Sequence, residues 1–384
     1  MTPENLPRKY AAAELNIFTT MSALAQQHNA INLSQGFPDF AIDEALPQLL
    51  YEASSQGFNQ YAPMAGLPEL RAAIAADILR RHGVPVDAGD EITITPGATY
   101  GIYTALSAIL RPGDEVIVLE PCYDSYKPNI EMHGARPVGV SLLPETFRPD
   151  WQRIKDAIGE QTRAIIVNTP HNPSGVVWSK EDWDQLAALT TGRNLYIISD
   201  EVYDQLVFDG KRHTSVLHYP ELRNRAFALF SFGKSLHNTG WKIGYSIAPP
   251  HLTRAFRSIH QFLSFSVHTP AQYALANFLA RPASVTASAL LQQKRDYFLE
   301  LMKQTPFRLL APSAGSYFQL ASYGHISDLP DTEYAVMLTR EYGVATIPVS
   351  VFYGDRNDDK ILRFCFAKKE ETLLHAAERL SAIR

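Results

Sequence analysis

The sequence predicts an α/β protein, with a large domain built on a mostly parallel sheet and a smaller α+β domain beside it. Two observations carry that expectation. From about residue 66 to 300, short β-rich runs alternate with helical patterns, the sequence form of parallel strands joined by crossover helices. Past Pro282 the texture changes to a long helical segment, short strands and a terminal amphipathic helix. No repeat or low-complexity run interrupts this order, and the 25 prolines are spread as punctuation. With the N-terminal segment joined to the C-terminal part, the expected division is a large domain over 31–276 and a small domain from 1–30 and 277–384.

The strand candidates of the large domain are Glu91–Thr95, Glu115–Leu119, Ala164–Asn168, Leu195–Ser199 and Ala226–Phe230, most of them ending at a polar or glycine-bearing turn. Between them lie helices such as Leu67 to His82, where Leu67, Leu70, Ile74 and Ile78 recur at helical spacing and Gly83 suits a left-handed terminator. Another helix begins near Ser179, whose hydroxyl caps it while Asp182 reaches back, as in a capping box. In the second domain the strands are Gly315–Gln319 and Ile361–Cys365, and the last helix runs from Glu370 to Ile383.

Bulk composition narrows the function. The chain has 384 residues, 46% hydrophobic and 20% charged, with a formal charge of −5. That balance is globular, and its scattered Lys and Arg give no field of the kind that gathers nucleic acid. Small-molecule chemistry is the expectation, with no nucleic-acid or membrane partner. The two cysteines, Cys122 and Cys365, suggest neither a metal site nor a disulfide framework, and the twelve histidines show no metal-ligand spacing. No stretch reaches the roughly 18 apolar residues that span a bilayer, and the start MTPENLPRKYAAAELNIF lacks the form of a secretory signal, so a cytoplasmic protein is expected.

Ligands of parallel sheets bind at the carboxyl ends of strands. Three such ends are rich in polar residues: Asn168–Gly175, Ser199–Tyr203, and Ser231–Ser235 trailed by Thr239–Tyr245. Gly233-Lys234-Ser235 has the look of a phosphate-loop tail, and the apolar run into Asp200-Glu201 that of a Walker B strand. A full phosphate loop needs a glycine where this chain has Ala228, and it should precede the Walker B strand, so the NTPase reading fails on both counts.

Taken together, these segments resemble a fold-type-I, pyridoxal 5′-phosphate (PLP) dependent aminotransferase of class I/II. The resemblance covers essentially the whole chain, from Asn32-Leu-Ser-Gln-Gly-Phe-Pro-Asp39 to Leu362-Arg-Phe-Cys-Phe-Ala367. Gln60–Met64, Ser264–Gln272 and Ile347–Phe352 are most similar to the methionine, kynurenine and glutamine group of that family. The resemblance implies a seven-stranded, mostly parallel sheet, PLP as cofactor and a homodimer with shared active sites.

It also implies roles, residue by residue. Lys234 is the lysine that joins PLP as a Schiff base; an amine between apolar walls and near another cation loses its proton readily and becomes a usable nucleophile. Asp200 faces the pyridine nitrogen, and Tyr203 and Asn172 share the phenolic oxygen. The phosphate rests on the turn Gly97, Ala98, Thr99 at a helix start, with Ser231 and Lys242; arginine is frequent at this last position, and lysine offers a point charge without a planar fork. Tyr123 stacks on the ring, and Tyr61 reaches the phosphate of a neighbouring subunit. Arg363, flanked by apolar residues, takes the substrate carboxylate, with the backbone of Gly36 beside it; a carboxylate within the protein is the other partner such a cation finds. The catalytic set is therefore Lys234, Asp200 and Tyr203.

No arginine is identifiable for a second substrate carboxylate, and Phe18 and Phe37 add aromatic surface. The expected donors are methionine and large aromatic or neutral amino acids, with a 2-oxo acid as acceptor. A carbon–sulfur β-lyase shares Lys234, Asp200 and Tyr203 and is the main rival. A PLP-sensing regulator would need an added DNA-binding domain, for which about thirty residues before Asn32 are too few.

Overall fold

The protein, seen in a computed structural model, is described over residues 16–281 and 287–383. Of the segment expected to begin the small domain, residues 1–15 lie outside that range. The strands, in chain order, are β1 (Ile31–Asn32), β2 (Ile92–Thr95), β3 (Glu115–Glu120), β4 (Arg136–Ser141), β5 (Thr162–Asn168), β6 (Tyr196–Asp200), β7 (Ala226–Ser231), β8 (Gly244–Ile247), β9 (Arg308–Leu309), β10 (Phe318–Ser322), β11 (Val344–Ala345), β12 (Ile347–Pro348) and β13 (Ile361–Cys365).

Seven of them form one sheet in the order β2-β8-β7-β6-β5-β3-β4. Only β8 runs antiparallel to its neighbours. Alternate side chains of the central strands enter two apolar layers: Ile117, Ile165 and Ile197 on one face, Val118, Ile166 and Ile198 on the other. A strand buried on both faces reads as a continuous apolar run, which is why these five were legible in the sequence. The other two were not. The edge strand β4 is partly exposed along most of its length, and β8 lies inside the glycine-bearing motif that reads as a loop.

The helix expected at Leu67–His82 spans Pro68–His82, buries Leu70, Ile74 and Ile78, and stops at Gly83 with φ 67°. Ser179 and Asp182 form the expected reciprocal capping box. The last helix is Glu370–Ser381.

The smaller sheets use later residues. One has the order β12-β13-β10-β9, and β1 pairs with β11. The strand expected at Gly315–Gln319 begins only at Phe318. Gly315 N–H donates to the Gly175 carbonyl and Ser316 N–H to that of Leu206, with Ser316 at φ 64°, so this stretch is bound to the loops after β5 and β6 instead of to its own sheet. Among the described residues no helix is long and apolar enough to cross a membrane, and no group of three or more His, Cys, Asp or Glu is set to hold a metal.

Gly244 sits where β8 passes between β7 and β2. A Cβ there would lie 2.6 Å from the Phe230 carbonyl oxygen and 3.1 Å from Ala98 N. Because both neighbours are backbone, Gly244→Ala is expected to cost about 1–3 kcal/mol, read as a lower urea midpoint with unchanged m value.

Candidate active site

A cavity of about 270 Å³ opens at the carboxyl ends of β5, β6 and β7. The sheet register sets Asn168 of β5 beside Asp200 of β6, and Ser231 of β7 beside Gly244 of β8. Polar segments that are far apart in sequence therefore share one wall.

The turn after β2 supplies an anion cradle. Gly97 has φ 83°, a conformation open to glycine, and the helix Ala98–Ile109 that follows has no side-chain cap. The amides of Ala98 and Thr99 are thus free donors at the positive end of a helix dipole. Lys242, itself left-handed at φ 55°, brings Nζ to 3.3 Å from where a Gly97 Cβ would be. Ser231 closes β7 on the same side, and all these residues line the cavity.

Deeper in, Lys234 also lines the cavity. Burial is the main reason its amine is pushed down to about 8, with Arg363 and Lys242 acting in the same direction and Asp200 and Cys365 opposing. Its hydrogen bond runs to the Gly36 carbonyl at 3.4 Å. Asp200, 4% exposed, is pushed up to about 6 by the same loss of water. The Tyr126 hydroxyl, donating to Asp200 Oδ2 at 2.6 Å, and the Val202 amide, donating to Oδ1 at 3.3 Å, resist that shift. Tyr203 is buried, its phenol raised by desolvation, with its ring edge-on to Tyr317 at 5.2 Å. Tyr123 lines the cavity with its ring edge-on to Tyr126 at 5.7 Å.

Arg363 forms the opposite wall. It is 1% exposed and makes no ion pair among the described residues, the carboxylate that acts on it, Asp124, doing so from beyond ion-pair distance. Nη1 donates to Asn172 Oδ1 at 2.8 Å and Nη2 to the Ser34 carbonyl at 2.7 Å, while the buried Nε has no partner among the described residues. The guanidinium carbon lies 3.9 Å from the Phe318 ring centre, 5.1 Å from that of Phe18 and 5.6 Å from that of Phe352. Burial lowers its pKa to about 10, which leaves it charged at neutral pH. A buried cation with an unmatched N–H is built to meet an anion.

The cavity gathers Gly36, Gly97, Ala98, Thr99, Tyr123, Asn172, Asp200, Tyr203, Ser231, Lys234, Lys242, Arg363 and Phe18. Two expected residues stay outside it. Phe37 is 45% exposed and lies against Lys368, whose Nζ is 4.9 Å from the ring centre and bonds the Phe37 carbonyl. Tyr61 is 83% exposed and touches Phe265. His171, to which no role was given, bonds Ser174 and the Pro121 carbonyl, and His268 caps the helix Thr269–Leu279.

Sequence reasoning missed Gln35, Tyr126, Asn168 and Tyr317. Gln35 and Asn168 stood inside the quoted motifs without a task. Gln35 Nε2 bonds the Phe18 carbonyl and so ties Phe18 to the Gly36 loop, and Asn168 links the Asn172 amide to the Asp200 carbonyl. Tyr126 lies three residues beyond Tyr123, and its amide donates to the Tyr123 carbonyl across the turn that opens the helix Tyr126–Glu131. Tyr317 was read as part of a distant strand.

The family described as aminotransferase class I and II matches residues 28–380. The methionine aminotransferase of Escherichia coli K12 is 49% identical over 366 residues, covering 95% of each chain. Human kynurenine–oxoglutarate transaminase 1 is 31% identical, covering 97% of each. The crystal structure of YbdL from Escherichia coli, described as identifying a methionine aminotransferase function, superimposes with TM-score 0.94 at 46% identity over 99% of this chain and all of that one.

The Tyr126 hydroxyl favours the ionised form of Asp200, so its loss raises the carboxyl pKa further. In Tyr126→Phe without added ligand the Asp200 titration, followed by difference infrared spectroscopy, is expected to move about 1 unit above its present value near 6.

Proposed function

The chain belongs to the class I and II aminotransferases, which use PLP, and from that membership we propose that it transfers the amino group of methionine to a 2-oxo acid by a ping-pong cycle. Phenylalanine, tyrosine, glutamine and kynurenine are further donors in this proposal. One observation carries it: Arg363, buried without an ion-pair partner among the described residues and ringed by Phe18, Phe318 and Phe352, in a cavity whose other lining cations are Lys234 and Lys242. That wall takes one carboxylate and an apolar or aromatic side chain, and offers no cation for a second acid group. Likeness to the Escherichia coli methionine enzyme supports the same choice.

The residues present fit the cofactor. The uncapped helix start, Lys242 beside Gly97, and the Ser231 hydroxyl make a phosphate cradle, and Asp200 is a buried carboxyl with no ion pair among the described residues. When bound, PLP supplies an aldehyde that captures amines and a protonated ring that accepts electrons from the substrate α-carbon. In the proposed roles, Ala98 and Thr99 would hold the phosphate by their amides, Tyr123 would pack against the ring, Asp200 would keep the proton on the ring nitrogen, and Tyr203 and Asn172 would hold the phenolic oxygen. Lys234 would be the covalent anchor, and its Nζ, when free, would take the substrate α-proton as general base. Its lowered pKa means that much of the free amine is unprotonated near pH 8. Arg363, with Asn172 and the Gly36 loop, fixes the carboxylate and hence the direction of the Cα–H bond.

We further propose a cytoplasmic homodimer, with domains 31–276 and 1–30 plus 277–384, in which Tyr61 contributes to a neighbouring active site. The exposed neighbours Tyr61, Phe262, Leu263 and Phe265 support an apolar interface. Sedimentation at twice the chain mass of 42.9 kDa is expected; a monomer at micromolar concentration ends the dimer reading.

The decisive assay supplies methionine and a 2-oxo acid to the PLP-reconstituted protein. Formation of the new amino acid, borohydride labelling at Lys234, and a loss of about 10²–10³ in kcat/KM for Arg363→Ala are expected. Pyruvate and ammonia released from a cysteine conjugate without any oxo acid, in place of transfer, would overturn it.

A further inference from the structure

Tyr317 belongs to none of the groups given a task above, yet it touches the loop that links the two ends of the site. It is fully buried, one residue before β10. Its hydroxyl donates to the Gly36 carbonyl at 2.5 Å, the same oxygen that accepts from Lys234 Nζ at 3.4 Å. Among the described residues that carbonyl is the one hydrogen-bond acceptor of the Lys234 amine. The loop lies flat on the following pair of side chains: a Cβ on Gly36 would come within 2.7 Å of Phe318 Cζ and 3.3 Å of Tyr317 Cε2. Phe318 in turn faces Arg363, and Arg363 grips the Ser34 carbonyl. Residues 34–36 therefore run from the guanidinium to the amine, and Tyr317 with Phe318 backs both ends.

We propose that Tyr317 is a positioning residue for Lys234: its phenol fixes the Gly36 carbonyl as the rest for the free amine, and by occupying that oxygen weakens it as an acceptor for the protonated form. The inference rests on Lys234 being the working amine of the proposed function. A carbonyl oxygen has two lone pairs, and a short hydrogen bond on one leaves less negative charge for an ammonium on the other. The phenol itself remains a neutral donor, because burial raises its pKa well above the ordinary value. The charged or titratable groups around the amine are Asp200 at the end of β6, Lys242 after Thr239–Trp241, Arg363 and Cys365 of β13, and the phenols of Tyr203 and Tyr317. Removing the Tyr317 hydroxyl frees the carbonyl and leaves room for water, and both changes favour the ammonium.

The test uses apoprotein, so that it reads the amine directly. Lys234 is labelled with trinitrobenzenesulfonate across pH, and its peptide is followed by mass spectrometry. In Tyr317→Phe the labelling midpoint is expected to rise by about 1 unit, which lowers the rate at pH 8 about fivefold. In the PLP-loaded protein the limb of the kcat profile set by this amine moves in the same direction. A 3-fluorotyrosine at 317, which keeps the ring and strengthens the donor, is expected to move the midpoint down, and it serves where Tyr317→Phe does not fold. A midpoint unmoved by either change overturns the inference. A wild-type protein that binds PLP but is not trapped at Lys234 by borohydride overturns the proposed function instead, so the two failures are distinguishable.

Discussion

Arg363 sits in the middle of an antiparallel sheet with its guanidinium out of water and no ion-pair partner among the described residues. Desolvating such a group costs several kcal/mol unless its donors are met. Here they are met by uncharged oxygens and a ring face, drawn from separate parts of the chain: Asn172 from the loop after β5, Ser34 from the loop after β1, and Phe318 from the adjoining strand β10. Because those partners come from the large sheet, the N-terminal loop and the small sheet, satisfying one cation also fixes the mutual positions of the three segments. Two of the five guanidinium N–H groups meet these oxygens, and among the rest the Nε–H has no partner among the described residues.

The large sheet contributes in a different way. Its central strands are apolar on both faces, so their ends are the first places where polar side chains appear, and parallel running puts those ends together. Asp200, Ser231 and Asn168 are neighbours for that reason alone. The antiparallel β8 then returns the chain beside β2, and Gly244, lacking a side chain, lets the helix start at Ala98 approach β7 closely. The anion cradle is thus a product of strand order and of one residue without a Cβ.

How much of this was legible follows from the same physics. Strands buried on both faces announce themselves as apolar runs, and five of the seven were read correctly to within a residue or two. The edge strand β4, Arg136–Ser141, has no such run because solvent covers much of it. Lys234, Asp200 and Arg363, singled out by the family motifs and by their places at the end or middle of apolar runs, come together in one cavity. Tyr126 and Tyr317 were not singled out: a tyrosine is at home in any core, and its hydroxyl partner, here Asp200 Oδ2 or the Gly36 carbonyl, is 74 or 281 residues away in sequence. Phe37 was placed with the site for the converse reason. Aromatic type and motif position say nothing about which side of a loop the ring takes, and Phe37 takes the side of Lys368.

Burial acts on Lys234 and Asp200 with opposite chemical results. It drives the amine down to about 8 and the carboxyl up to about 6, each toward its neutral form. Arg363 resists, remaining a cation even at about 10. Near pH 7 the cavity therefore holds the Arg363 cation on one wall, Lys242 at the anion cradle, and between them two groups, Lys234 and Asp200, whose protons are exchanged most readily. A ligand bringing a cation to Asp200 restores its charge, since an opposite charge nearby counters desolvation, and that in turn stabilises the cation. The Arg363 wall is thus electrostatically fixed while the Lys234 and Asp200 wall is left adjustable, a division that the proposed amino-group transfer would use and that simple binding would not.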